Sequence, residues 1–179
     1  SEMVYLPQKT EWFTKKYSTI NFIFLSNHPT TTSDDICPTG SDPQIEEVKY
    51  VTDEGALVVS PDYMGYRSSI GVPHPYMCHT LTARNVVDGL LAAIDYAKSK
   101  GLTFSSDYYT DNVGYSQGGG VTLAVQKYLE MEASQDVKDK VRLRRSFVGA
   151  GAMQMSDLHF FMFNQPYIEP GISYPEESY

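Results

Sequence analysis

The sequence predicts an α/β protein: a predominantly parallel sheet with helices on both faces. Three observations predict it. The apolar runs Ile20–Leu25 and Ala56–Ser60 are short and continuous, as strands covered on both faces are. Residues 82–100 repeat apolar side chains at three- and four-residue spacing, the pattern of an amphipathic helix. Gly114-Tyr115-Ser116-Gln117-Gly118 spells Gly-x-Ser-x-Gly between a strand-like and a helix-like segment. Strands alternating with helices imply right-handed crossovers and a parallel sheet.

Each element has its own reason. Residues 1–18, with scattered aromatics and a Lys-rich stretch, read as an edge strand and a loop. Ile20–Leu25 is a buried strand that runs into the polar loop Ser26–Thr32. Residues 33–43 are rich in Asp, Pro and Gly and therefore irregular. A short helix is expected over Gln44–Val51, and Ala56–Ser60 is a second buried strand that Pro61 ends. Residues 61–79 form a long loop with Tyr, His and Pro, and long ordered loops in compact domains are often functional. The helix over Thr82–Lys100 aligns Ala83, Val86, Val87, Leu90, Leu91, Ile94 and Ala97, and Gly101 stops it. Tyr108–Val113 is a third strand, residues 134–142 a charged connection, and Arg144–Gly149 a fourth strand. No internal repeat or interior domain boundary is visible.

The Gly-x-Ser-x-Gly motif carries a mechanism. A strand that turns sharply into a helix leaves a serine Oγ at the tip of a strained turn, and flanking small residues let strand and helix approach. The first N–H groups of the helix then point at the substrate oxygen. Val121, Ala124, Val125 and Tyr128 share one face of the following helix, and Gly119 and Gly120 give it room to pack. Ser116 is the expected nucleophile.

Composition bounds the alternatives. The 179 residues are enough for one domain with a substantial core. A net charge of −8 argues against nucleic acid as a partner. No apolar run is long enough to span a membrane, and the opening Ser1-Glu2-Met3 lacks the features of an export signal. Cys37 and Cys78 read as free thiols, with one disulfide as the alternative. No metal cluster of zinc-site spacing appears. The glycine run has no following Lys-Ser/Thr pair and does not fit a dinucleotide fingerprint.

The motif, its flanks and the order of strands together resemble the α/β-hydrolase superfamily, most of all bacterial and fungal secreted lipases and esterases. Gly114–Gly119 looks like their elbow, Ser60-Pro61-Asp62-Tyr63-Met64-Gly65-Tyr66 like the loop after their fourth strand, and His28-Pro29-Thr30 sits at their oxyanion loop. The likeness covers roughly residues 20–151, with Arg67 a departure where that group has glycine. It implies an ester hydrolase needing no cofactor or metal, with Gln117 and Thr30 giving the oxyanion hole. It also implies a secreted or cell-envelope location. Asp62 and Tyr63 are expected to shape the sheet edge and loop rather than to react.

In this fold the serine is followed by the acid and then the histidine. The sequence shows no core strand after the fourth, so it looks like an N-terminal half, 1–151, with a partial cap, lid or orphaned segment over 152–179. Among the histidines, His28 is expected to fix the oxyanion loop, and His74 and His79 to be surface or loop-packing residues. Asp157 and His159, the local acid–histidine pair, are the triad candidates. Phe160–Phe163 is strongly apolar, which points to self-association or a second piece covering it. Beside the esterase stand two other readings: a non-catalytic or inactive hydrolase-fold fragment, and a serine peptidase on the same fold.

Overall fold

A computed structural model describes residues 2–7, 17–27, 45–66, 69, 71–151 and 153. Strands β1 (Glu2–Tyr5), β2 (Thr19–Asn27), β3 (Ala56–Pro61), β4 (Thr103–Tyr115) and β5 (Leu143–Gly149) alternate with helices α1 (Ile45–Thr52), α2 (His79–Ser99), α3 (Gln117–Met131) and α4 (Gln135–Val141). They form one five-stranded sheet in the order β1-β3-β2-β4-β5. The pairs β2–β3, β2–β4 and β4–β5 are parallel, and only β1 runs antiparallel, against β3.

Helices cover both faces, as the continuous apolar strands require. On one face Ile23 and Leu25 of β2 and Leu57 and Val59 of β3 join Val86, Val87, Leu90 and Ile94 of α2 and Val121 and Val125 of α3 in the main core. On the other, Ala56 and Val58 meet Val48 of α1, with Phe22 and Phe24 packed alongside. Each fully buried aliphatic side chain contributes about 1.5–3 kcal/mol relative to an exposed one.

The predicted fold class stands, with shifts in the elements. The long helix begins at His79, ahead of the expected Thr82, and Leu91 on its apolar stripe is only partly buried. In α3 the buried stripe is Val121, Thr122, Val125 and Leu129, while Ala124 and Tyr128 are half-buried. The expected charged connection at 134–142 is instead largely helix α4, capped by Ser134, whose hydroxyl accepts from the Val137 N–H. Strand β4 starts five residues before the expected Tyr108, at Thr103. It bulges there, because Ile20 pairs with Phe104 but Phe22 with Tyr109.

Candidate active site

The sheet's C-terminal edge places the motif where β4 becomes α3. Ser116 stands between them with φ 55° and ψ −121°. A non-glycine residue there costs on the order of 1–3 kcal/mol and persists only when its surroundings over-determine it. They do. The Ser116 N–H donates to Gly149 O of β5 at 2.9 Å, and the Ser116 carbonyl accepts from the N–H groups of Gly119 (3.0 Å) and Gly120 (3.3 Å). Close packing fixes the rest. A Cβ on Gly114 would lie 2.2 Å from Gly118 O, and one on Gly119 would lie 2.7 Å from Gly149 O. Ser116 is exposed, whereas Gln117, Gly118, Gly119 and Gly120 are buried.

A buried amide network lies beneath the turn. Asn27, the last residue of β2, donates from Nδ2 to Asn112 Oδ1 of β4 (2.7 Å) and to Thr122 Oγ1 of α3 (2.9 Å). Asn112 Nδ2 donates to the Thr122 carbonyl at 3.0 Å. All three residues are 3% exposed or less. The network ties the ends of two strands to the first turns of the elbow helix. Sequence reasoning missed it because Asn27 reads as part of the polar loop after the strand, and only Asn112, inside the expected strand Tyr108–Val113, signals a buried partner.

The loop between β3 and α2 closes on the same turn. His74 Nδ1–H donates to Met64 O at 2.7 Å, and its Nε2 lies 2.9 Å from Gln117 Nε2. The ring stacks on Tyr63 and meets Tyr66 and Tyr76 edge-on. His74 thus packs within its loop and also reaches the elbow, the second role being one its sequence position does not reveal. The His79 ring lies against α3, where a Cβ on Gly120 would come within 2.5 Å of its Nε2. Among the described residues, neither His74 nor His79 hydrogen-bonds to Ser116. Asp62 and Tyr63 are buried at the end of β3 and the start of this loop.

The structure places Ser116 and Gln117 side by side at the elbow. Thr30, Asp157, His159, His28, Arg67 and Cys37 lie outside the described residues, as does the cap or lid segment apart from Met153. Cys78 is a free, exposed thiol. A cleft of about 410 Å³ lined by Pro61, Asp62, Met64, Asn85 and Asp88 takes no lining residue from the elbow. Among the described residues no three His, Cys, Asp or Glu gather as a metal site, and no helix is long and apolar enough to cross a membrane.

No family profile and no curated protein matches the chain. Solved structures do. A Legionella pneumophila protein provisionally described as a hydrolase superposes with TM-score 0.57 at 23% identity, over 74% of this chain and 34% of its own. The rice cell wall degrading esterase LipA from Xanthomonas oryzae, in a ligand-bound form, gives 0.54 at 24% identity, over 70% of this chain and 32% of its own. A further structure of that esterase gives 0.55 at 21% identity, over 81% and 36%. The chain spans about a third of the length of these structures. At such identities the likeness speaks to architecture, and with the strand order and the turn at Ser116 it identifies the fold as that of the α/β-hydrolases.

Proposed function

We propose that this chain carries the nucleophile of a serine hydrolase acting on carboxylic esters. The observation that carries the reading is the backbone of Ser116: an exposed serine at φ 55° between a parallel strand and a helix. Strain at such a residue is what a nucleophile elbow requires, because it lifts Oγ clear of the turn.

The chemistry follows from that geometry. A base takes the Oγ proton as the oxygen attacks the ester carbonyl, giving a tetrahedral oxyanion. The backbone N–H of Gln117 and one from the loop near Thr30 receive the negative charge, each donor worth about 3–4 kcal/mol of barrier. The alkoxide leaves with the proton, and water releases the acyl group. Asp157 and His159 remain the candidates for acid and base. Esters are favoured over amides because alkoxides leave more readily than amines. An esterase of the same fold among the solved structures supports the choice. A secreted or cell-envelope location belongs to the same reading.

A second reading is favoured by the span of the likeness. In it the acid and base come from another polypeptide segment, and this chain alone is inert. A fluorophosphonate probe separates the two. Labelling that maps to Ser116, lost in Ser116→Ala, with ester hydrolysis falling by about a million-fold, is the expected result. No labelling of a chain with an intact mass near 20.1 kDa would favour the inert fragment. Faster cleavage of aminoacyl amides than of short-chain esters would replace the esterase by a peptidase.

A further inference from the structure

We propose that His74 is a positioning residue for the elbow, holding Gln117 so that its backbone N–H meets the developing oxyanion. The inference rests on the reading of Ser116 as nucleophile.

The contact is specific in its chemistry. With Nδ1–H donating to Met64 O at 2.7 Å, a neutral ring carries its lone pair on Nε2. That lone pair can accept from Gln117 Nε2, 2.9 Å away. The Gln117 side chain is 2% exposed, so its amide needs a protein partner, and His74 supplies one. The ring has little freedom. Tyr63, itself 1% exposed, lies parallel to it at 6.1 Å, and the edges of Tyr66 and Tyr76 meet it at 5.1 and 6.0 Å. The loop wraps it closely, since a Cβ on Gly65 would come within 2.9 Å of the His74 backbone.

Gln117 is the first residue of α3 and follows the strained Ser116 directly. Contacts from β2, β4, β5, α2 and α3 also restrain the turn, and His74 adds one from the β3–α2 loop. It therefore couples a separate segment to the oxyanion donor. A donor that drifts loses contact with charge that exists only in the transition state, so kcat falls more than KM changes.

Two substitutions in the full chain separate the roles of the ring. In His74→Asn the amide overlays Nδ1 and keeps Met64 while losing Gln117. In His74→Gln the longer amide reaches Gln117. The measurements are p-nitrophenyl ester hydrolysis, the rate of fluorophosphonate labelling at Ser116, and hydrogen exchange at the Gln117 and Gly118 amides. His74→Asn should lower kcat and the labelling rate about 10-fold or more with little change in KM, and should speed exchange at both amides. His74→Gln should recover most of the loss. Wild-type labelling and exchange in His74→Asn would overturn the proposal. If the wild-type chain itself is not labelled at Ser116, the hydrolase reading has failed, and exchange alone decides whether the clamp exists. Should His74→Asn not fold, Gln117→Met, which keeps length and loses the amide, carries the same exchange test.

Discussion

The two ends of strand β4 are held by different physics. At its C-terminal end Asn112 and Gly114 sit in buried, directional contacts: side-chain hydrogen bonds to Asn27 and Thr122, and a glycine backbone against α3. At its N-terminal end, near the bulge, the strand is fastened by exposed cations. Lys98 lies over Phe104, Arg142 lies 4.5 Å above the Tyr108 ring, and Arg142 Nη1 donates to Ser106 O at 2.7 Å. Water can replace much of what an exposed contact supplies, and it cannot reach a buried amide. The C-terminal end is therefore rigid and intolerant, and the far end is tolerant. A strained serine can persist only at the first kind of end.

The sharpest way to break this contrast is at Gly119. A valine there would drive Cβ to 2.7 Å from Gly149 O and 2.9 Å from Gly151 Cα, both backbone atoms. Gly119→Val should cost 3 kcal/mol or more, at about the upper end of overpacking penalties, and abolish labelling of Ser116. Urea unfolding gives the first quantity, and an unchanged midpoint would mean the elbow is looser than described. Asn112→Ala comes next. It leaves the Thr122 carbonyl without that donor and removes one acceptor of Asn27 Nδ2, all buried. A loss of about 1–3 kcal/mol is expected in the same assay. A loss under about 0.5 kcal/mol would place the site among tolerant surface positions.

The same contrast explains what could be read from the residues alone. The elbow was legible because so sharp a turn leaves a local pattern: glycines two residues either side of Ser116, a strand before and a helix after. The helix at 79–99 was legible because its burial follows one apolar stripe. The far end of β4 was not, since Thr103, Ser105 and Asp107 lack the apolar content that marks a buried strand. Helix α4 was hidden by its charges, although Ser134 followed by Val137 and Val141 at helical spacing is a start signal with a buried stripe. The contact of His74 with Gln117 joins residues 43 apart in the chain and has no local trace. The buried Asn27–Asn112 pair is equally non-local.

The smallest effect is expected at the tolerant end, at Tyr108. Its hydroxyl donates to Lys140 O at 2.6 Å, and Tyr108→Phe removes that bond while keeping the ring beneath Arg142. The cost near neutral pH should be about 0.5–1 kcal/mol. The pH dependence distinguishes this bond from simple packing. Burial raises the Tyr108 phenol above its ordinary 10.0, outweighing the lowering by the Arg142 guanidinium. The folded chain thus keeps this proton to a higher pH than the unfolded chain does. Its contribution is complete below the unfolded value and is lost as pH rises through the folded one. The stability gap between wild type and Tyr108→Phe should therefore narrow above about pH 10. Urea midpoints at neutral and alkaline pH measure it. A gap that stays constant would mean the hydroxyl contributes packing rather than the bond to Lys140 O, and a gap as large as that of Asn112→Ala would erase the difference between the two ends of the strand.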